Sequence, residues 1–440
     1  MTLCKTKIAF VLATVLVAHL SFAQDSIPLS LESALQLAIK KNSNISIANY
    51  QAKSAEFALK EAKGNFLPKV NLSANYNRNI DRQVLFLPNA SGIGNMATQL
   101  GSDNDYSSSL NLSLPLFSNY NNTNKKLSET QLKFQKESAR EIKQTVVNSI
   151  KKSYFTYLIA QEIIKVQIQQ LKNAEETLLD IKKRMKQGTL TDYDLTTAKV
   201  QVANAKNDLL EAQSNMIQLA NNLKLLIGLK SDDVLKLTDP ITLLEDELNI
   251  EKGVKLMLEQ NSKLKQLELD VEFNEKQVKL AKSAFYPTID AIGNYNYQAQ
   301  ADNFDLSDYN WVNTSLIGLQ LQFSIFNGTI TKNKVQQAKI EKSIAEEQKK
   351  YTTSKYRMQF EELLSQLEFS KQKVEVQKEN MELTKESLKL SKKRYQFGVG
   401  TFLEVNDAEL SYTKAQLNWL QAISDYKSAY YDYQLLIGKE

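Results

Sequence analysis

The sequence has very little of the chemistry that most enzymes and metal proteins use. It holds one cysteine, Cys4, and one histidine, His19, and both fall in the N-terminal leader described below. Beyond that leader no disulfide, thiolate or imidazole metal site, cysteine nucleophile or Ser-His-Asp triad can be built. Glycine (13) and proline (6) are scarce among 440 residues, which argues against a loop-rich or all-β protein. No later segment stays apolar for 18 residues, so no α-helix is expected to span a bilayer; β-strands remain open to it. The formal charge is only +5, which gives no electrostatic case for nucleic acid.

What is present begins with a secretory leader over residues 1–23. Lys5 and Lys7 form its charged start, Ile8 to Leu20 its apolar stretch, and Ser21-Phe22-Ala23 a cleavage signal, with the cut expected after Ala23. The apolar stretch is short of the ~20 residues that a membrane anchor needs. Cys4 precedes that stretch, where a lipoprotein would place its cysteine after it. Without Lys5 and Lys7 the net formal charge falls to +3.

The chain then repeats itself. RMKQGTLTDYDL at 184–195 answers RYQFGVGTFLEV at 394–405, and LLIG at 225–228 answers LLIG at 435–438, both at an offset of 210. Pro68 answers Pro287 and Phe117 answers Phe326, so the first half carries about ten extra residues between those marks. A period this long indicates a duplicated domain rather than a short-repeat solenoid. The halves are 24–230 and 231–440.

No proline occurs from 116 to 239 or from 288 to 440. Within 125–227 the single glycine is Gly188, and within 329–437 the glycines are Gly398 and Gly400. Each half is therefore expected to hold a helical hairpin, ~120–228 with its tip near 188 and ~328–437 with its tip near 398. Leu195, Ala198, Val202, Ala205, Leu209 and Ala212 step by three and four, as do Val405, Ala408, Tyr412, Ala415, Trp419 and Ala422. The arms before the turns do the same, at Leu171, Ala174, Leu178, Ile181 and Met185, and at Met381, Thr384, Leu388, Ser391 and Tyr395. Spacing sustained this far predicts coiled-coil packing, with alanines letting helices approach closely. At 1.5 Å per residue the arms preceding the tips reach roughly 100 Å. A cytoskeletal-type rod has the same signature, but secretion and the strands argue against it.

Four segments alternate with period two and are expected to be strands: ~66–80, ~106–117, ~285–297 and ~311–326. Val70, Leu72, Ala74 and Tyr76 alternate with Asn71, Ser73, Asn75 and Asn77; Leu110, Leu112, Leu114 and Leu116 alternate with Asn111, Ser113 and Pro115. One apolar and one polar face suit a membrane barrel wall and equally suit a soluble sheet on a core. Tyr76, Tyr106, Phe117, Phe285, Tyr286, Tyr295, Trp311 and Phe326 gather near strand ends, as interface girdles would. Four strands cannot close a barrel, and an open edge in lipid leaves peptide groups unpaired. Three copies would supply twelve strands. The segments 81–105 and 298–310 are expected to be polar loops on the outer side. A linker and equatorial segment is expected at ~231–262, and the segments near 221–262 and 421–440 are expected to form a belt around the helices in which Tyr426, Tyr430, Tyr431 and Tyr433 pack.

This order of elements resembles the TolC-like outer-membrane efflux protein family over essentially all of 24–440. The most specific local match is Arg394-Tyr395, Gly398-Val399-Gly400-Thr401 and Glu404-Val405, with Arg184, Gly188, Thr189, Asp194 and Leu195 as the first-half copy. The opening Leu29-Ser30-Leu31-Glu32-Ser33-Ala34-Leu35 is also typical. The resemblance implies a mainly α fold with a small membrane β part: a homotrimeric 12-stranded β-barrel continued by a periplasmic α-helical coiled-coil barrel. It implies an outer-membrane exit duct of a tripartite efflux or type I secretion system in a Gram-negative-type envelope. The duct would be served by a periplasmic adaptor and an inner-membrane RND or ABC transporter, and would need no catalysis and no cofactor. The alternative is a secreted coiled-coil structural or adhesive protein, which would need no strand closure.

By the same resemblance the tips dock the adaptor through Arg184, Gly188, Thr189, Arg394, Gly398, Val399, Gly400 and Thr401. The neighbouring lysines, Lys182, Lys183, Lys186, Lys392 and Lys393, also complement a helix C-terminal dipole. Thr191-x-x-Asp194 and Thr401-x-x-Glu404 each fit a capping box, in which the acid returns a bond to the cap's backbone N–H. The resemblance also places Glu404 and Asp407, with Asp194 in the first copy, at a periplasmic gate narrowed by an acidic ring. Gly400 stands where a basic gate partner can occur, which leaves Arg394 as the candidate for a clasp.

Overall fold

The computed structural model describes residues 27–88, 95–187, 190–242 and 250–439, so the expected leader lies outside the described residues. The fold is mainly helical. The chain forms two compact units, one of Ala48–Ala139 with Ser262–Ser354 and one of the remaining segments around Arg140–Asn261 and the chain from Lys355 on.

The first of these units carries a four-stranded antiparallel sheet. Its strands are β2 (Lys69–Arg78), β5 (Asn104–Ser118), β7 (Thr288–Ala301) and β8 (Val312–Gln322), in the order β2-β5-β7-β8. The register sets Leu72 opposite Leu110, Leu112 opposite Gly293, and Gly293 opposite Ile317, so most of the leucines share one face with Ile289 and Ile317, while Ile292 and Leu316 fall on the other. That face is open to its surroundings: Leu72 and Leu319 are each 73% exposed and Ile317 is 91% exposed. The other face carries mainly amides and hydroxyls, with Ile292, Val312 and Leu316 among them. β2 and β8 are edge strands with no partner among the described residues.

At one end of the sheet the aromatic rings meet. Tyr76 and Tyr106 lie 4.7 Å apart, and Tyr297 stacks on Trp311 at 4.8 Å. Asn104, fully buried, donates to the carbonyls of Ala301 and Asn303 and accepts from the Tyr76 hydroxyl at 2.9 Å. Arg82 bridges Asp103 at 2.7 Å and Asp302 at 2.6 Å. The expected loop 81–105 is not loop throughout. β3 (Gln83–Pro88) and β4 (Asn95–Leu100) pair antiparallel within it, Val84 opposite Gln99 and Phe86 opposite Ala97. The run Val84-Leu85-Phe86-Leu87 favours extended backbone, and polar flanking residues hid it.

The other unit is built from helices. From Arg140 and Lys355 on it holds the larger parts of the long arms α3 (Asn119–Lys186) and α7 (Ile330–Gln396), and α4 (Asp192–Ile227) and α8 (Phe402–Leu436) return from their ends. Between 116 and 239 and after 287 there is no proline to remove a helix hydrogen bond, so these helices run unbroken. Ala198 and Ala205 on α4, and Ala415, Ala422 and Ala429 on α8, are buried, which permits close helix approach. The rest of the unit holds α1 (Leu31–Lys41), the start of α2 (Ser43–Gly64), α5 (Ile250–Gln260) and the parallel pair β1 (Ile27–Leu29) and β6 (Leu235–Leu237). Leu29, Ala34, Ala38, Ile150, Tyr154, Leu223 and Ile227 form its main core. There the Tyr154 hydroxyl donates to the Leu29 carbonyl at 2.9 Å and to Asp239 at 3.0 Å. Helix α6 (Ser262–Ser283) belongs to the sheet-bearing unit, where Glu272 accepts from the Thr130 hydroxyl at 3.1 Å.

Two seams run along α7 in the helical unit. Leu367, Val374 and Leu388 are buried. Phe369, Val376, Leu383 and Leu390 on the helix, continued by Phe397 one residue past its end, make an unbroken run of seven-residue steps and are all more than half exposed. A heptad seam of large apolar residues facing solvent is an unmet coiled-coil contact. No helix among the described residues is long and apolar enough to cross a membrane.

Candidate functional site: the hairpin tips

The tip of the second hairpin is fully described. α7 ends at Gln396, where Phe397 donates its N–H to the Lys393 carbonyl. The amides of Val399 and Gly400 both turn back onto the Arg394 carbonyl, at 3.0 and 3.1 Å. Gly398 reverses the chain with φ of 74°, a conformation that side chains resist. Gly400 is needed for a different reason. A Cβ there would sit 3.0 Å from the Arg394 Cβ and 3.1 Å from the Tyr395 backbone nitrogen. The Arg394 guanidinium also donates to the Val399 carbonyl at 3.3 Å, closing the turn on its own helix end.

Thr401 then caps α8, its hydroxyl accepting from the Glu404 amide at 3.2 Å. The expected return bond is absent from this second copy. The Glu404 carboxylate goes to Arg394 instead, with Nε to Oε2 of 3.5 Å. A full positive charge outcompetes a backbone dipole for a carboxylate that both can reach. Asp407, one turn further on the same helix, is exposed and pairs with no cation among the described residues. Behind them Lys392 reaches Glu409 at 3.4 Å.

In the first hairpin, Gly188 and Thr189 lie outside the described residues. On either side of them α3 ends at Lys186 and Thr191 caps α4. Here the box is complete. The Thr191 hydroxyl accepts from the Asp194 amide, and the Thr191 amide donates to the Asp194 carboxylate at 2.9 Å. The Thr191 amide foremost, and then the Thr191 hydroxyl, which lies 2.7 Å from the same carboxylate oxygen, hold the Asp194 carboxyl below the usual carboxylate range. Arg184 pairs with Asp180 at 2.8 Å on its own helix.

The two tips meet through residues that sequence reasoning did not single out as functional. Ile181, Ala198 and Phe402 form a small buried cluster, with Leu178, Leu190, Leu195 and Tyr395 packed against it. The Arg184 guanidinium lies over the Tyr395 ring. Burial pushes the Tyr395 phenol up despite the neighbouring Arg184 charge, and its hydroxyl has no hydrogen-bond partner among the described residues. Tyr395 appeared in the sequence as a coiled-coil position next to Arg394; that it lies under an arginine of the other hairpin has no local signal. No cluster of His, Cys, Asp or Glu among the described residues could hold a metal ion.

The Campylobacter jejuni CmeC outer membrane channel is 19% identical, with a TM-score of 0.80 over 93% of this chain and 85% of that one. The Vibrio cholerae outer membrane protein VceC is 18% identical, with a TM-score of 0.78 over 93% and 96%. The open state of the Neisseria gonorrhoeae MtrE outer membrane channel is 18% identical, with a TM-score of 0.74 over 93% and 89%. No curated protein matches the sequence. The model of the outer membrane efflux protein family matches residues 34–229 and 253–439, and the chain belongs to that family. Its members are transport ducts, and this protein is not an enzyme.

Proposed function

We propose that this chain is the outer-membrane exit duct of a tripartite efflux or type I secretion system. The observation that carries this reading is the four-stranded sheet with two unpaired edges and an exposed Leu/Ile/Val face. In lipid the unpaired edges would cost several kcal/mol per peptide group. Pairing β2 of one copy with β8 of the next removes them, and three copies give a closed barrel of twelve strands. Tyr106 and Phe117, eleven residues apart on β5, then mark the two membrane interfaces. At ~3.3 Å per residue and a tilt of ~40° they stand roughly 28 Å apart, close to the ~25 Å apolar band of such barrels. The exposed heptad seam of α7 would bury against a sister copy in a periplasmic helical barrel.

In this reading 24–230 and 231–440 are two copies of one unit, and the tips point into the periplasm. Arg184, Gly188, Thr189, Arg394, Gly398, Val399, Gly400 and Thr401 contact the adaptor. Glu404 and Asp407, with Asp194, line the gate, and three chains would gather six carboxylates from Glu404 and Asp407. Energy comes from an inner-membrane RND or ABC transporter. Cell fractionation tests the reading: the protein should enter the outer-membrane fraction and run as a heat-resistant trimer. A dissolved monomer in the periplasm or medium would overturn it.

A further inference from the structure

Resting on the duct reading, we infer that the middle of the strand-lined passage is electrically silent and passes cargo of either charge sign. The register defines what lines it. On the face opposite the leucines, three successive rungs cross the sheet: Asn71, Asn111, Asn294 and Leu316; Ser73, Ser109, Asn296 and Thr314; and Asn75, Ser107, Gln298 and Val312. None of these twelve positions can ionise. The ionisable residues on this face stand at the ends, Lys69 and Asp290 at one and Asp105 at the other.

The rungs are also tied together. The Ser73 and Ser109 hydroxyls are 2.7 Å apart, and Asn111 donates to the Ser109 hydroxyl at 3.2 Å. Asn294 donates to Asn111 at 2.8 Å, and Asn296 donates to Gln298 at 3.0 Å. The surface therefore offers exchangeable hydrogen bonds, each worth about 0.5–1.5 kcal/mol net and replaceable by water, so it holds no solute deeply.

Distance completes the case. The middle rung is four residues from Lys69 along β2, six from Asp290 along β7 and four from Asp105 along β5. At ~3.3 Å per residue those spans are roughly 13, 20 and 13 Å, all beyond the ~8 Å screening length at physiological salt. Fixed charge at the ends is damped before it reaches the middle. Charge selection then belongs to the entrance and the outer mouth. The membrane-level passage suits neutral, zwitterionic, cationic and anionic polar cargo alike.

The test is thiol modification in the assembled full-length protein. With Cys4 replaced by serine, an added cysteine is the single thiol. Asn296→Cys should react with both trimethylammonium- and sulfonate-bearing methanethiosulfonates. The ratio of the two rates should lie within threefold of the ratio for a small free thiol; a larger departure in either direction overturns the silent passage. Asn77→Cys, level with Asp105, should favour the cationic reagent by more than threefold; no such preference would mean the method reads no field, or that end charge is absent, and would count against the assignment. Leu112→Cys separates the two ideas. If Leu112→Cys reacts with the hydrophilic reagents and Asn296→Cys does not, the faces are reversed and the duct reading itself fails.

Discussion

The guanidinium of Arg184, at the end of α3, lies 4.5 Å from the ring centre of Tyr395, at the end of α7. This contact ties the first hairpin tip to the second. A cation over an aromatic face contributes about 0.5–1 kcal/mol where water has access. A double-mutant cycle with Arg184→Gln and Tyr395→Leu should return a coupling of that size, read from hydrogen exchange across both tips. Tyr395→Phe should leave protection unchanged or raise it, because the phenol is buried with no partner for its hydroxyl among the described residues. A loss of protection in Tyr395→Phe would mean the hydroxyl is engaged.

The two helix caps should respond differently to the same change. Asp194→Asn removes a charged acceptor from the Thr191 amide, whereas Glu404→Gln removes none from Thr401. Hydrogen exchange should show fraying at the start of α4 and not at the start of α8. Because the folded Asp194 carboxyl titrates below its unfolded value, its contribution is complete above about pH 4 and is lost as acid protonates the folded group. Thr191→Ala should cost about 1 kcal/mol at neutral pH.

Glu404 and Asp407 sit one turn apart on α8, so a three-fold assembly would concentrate carboxylates at the entrance. Single-channel recordings in planar bilayers should show block of the unaltered protein by polyvalent cations. The double variant Glu404→Gln, Asp407→Asn should lose most of that block. It also removes the Arg394 partner, so the channel should open more readily.

Gly398→Leu should abolish export while trimer and barrel persist. A leucine at φ of 74° strains the turn, and the turn is remote from the sheet in sequence. Export assays in cells, paired with trimer analysis of the outer membrane, would show this. Normal export by the variant would remove the tip from the docking surface.

Lys427 is buried on α8, with the Phe155 ring 5.3 Å away and no carboxylate paired to it among the described residues. Burial pulls its amine down to about 8. Between that value and the unfolded value of about 10.4 the unfolded chain binds more protons, so stability should rise with pH across this window. Below pH 8 the full burial cost of the charge applies. Lys427→Met should flatten the rise and stabilise the protein at neutral pH, as read by denaturant melting from pH 7 to 11.

Much of this molecule is written locally. The missing prolines allow long helices, and the three-and-four spacing through Ala198 and Ala205, or Ala415 and Ala422, names the packed faces, because both follow from the geometry of one helix. Period-two alternation around Leu72 and Leu110 likewise says which side chains share a face. The confinement of cysteine and histidine to Cys4 and His19 in the expected leader excludes whole classes of chemistry for the rest of the chain at any fold.

Tertiary structure decided which distant segments meet. Alternation cannot tell that β5 pairs with β7 nearly two hundred residues away, since any two such strands satisfy the same backbone bonds. It cannot choose between the Thr401 amide and Arg394 as the partner of Glu404, because both are within reach and their relative strength settles it. Nor can it place Arg184 over Tyr395, two residues 211 positions apart whose contact exists because two helix ends share one small core. Local pattern is fixed by the repeat of the backbone; partnership is fixed by competition among near-equal contacts, and only the folded chain resolves that.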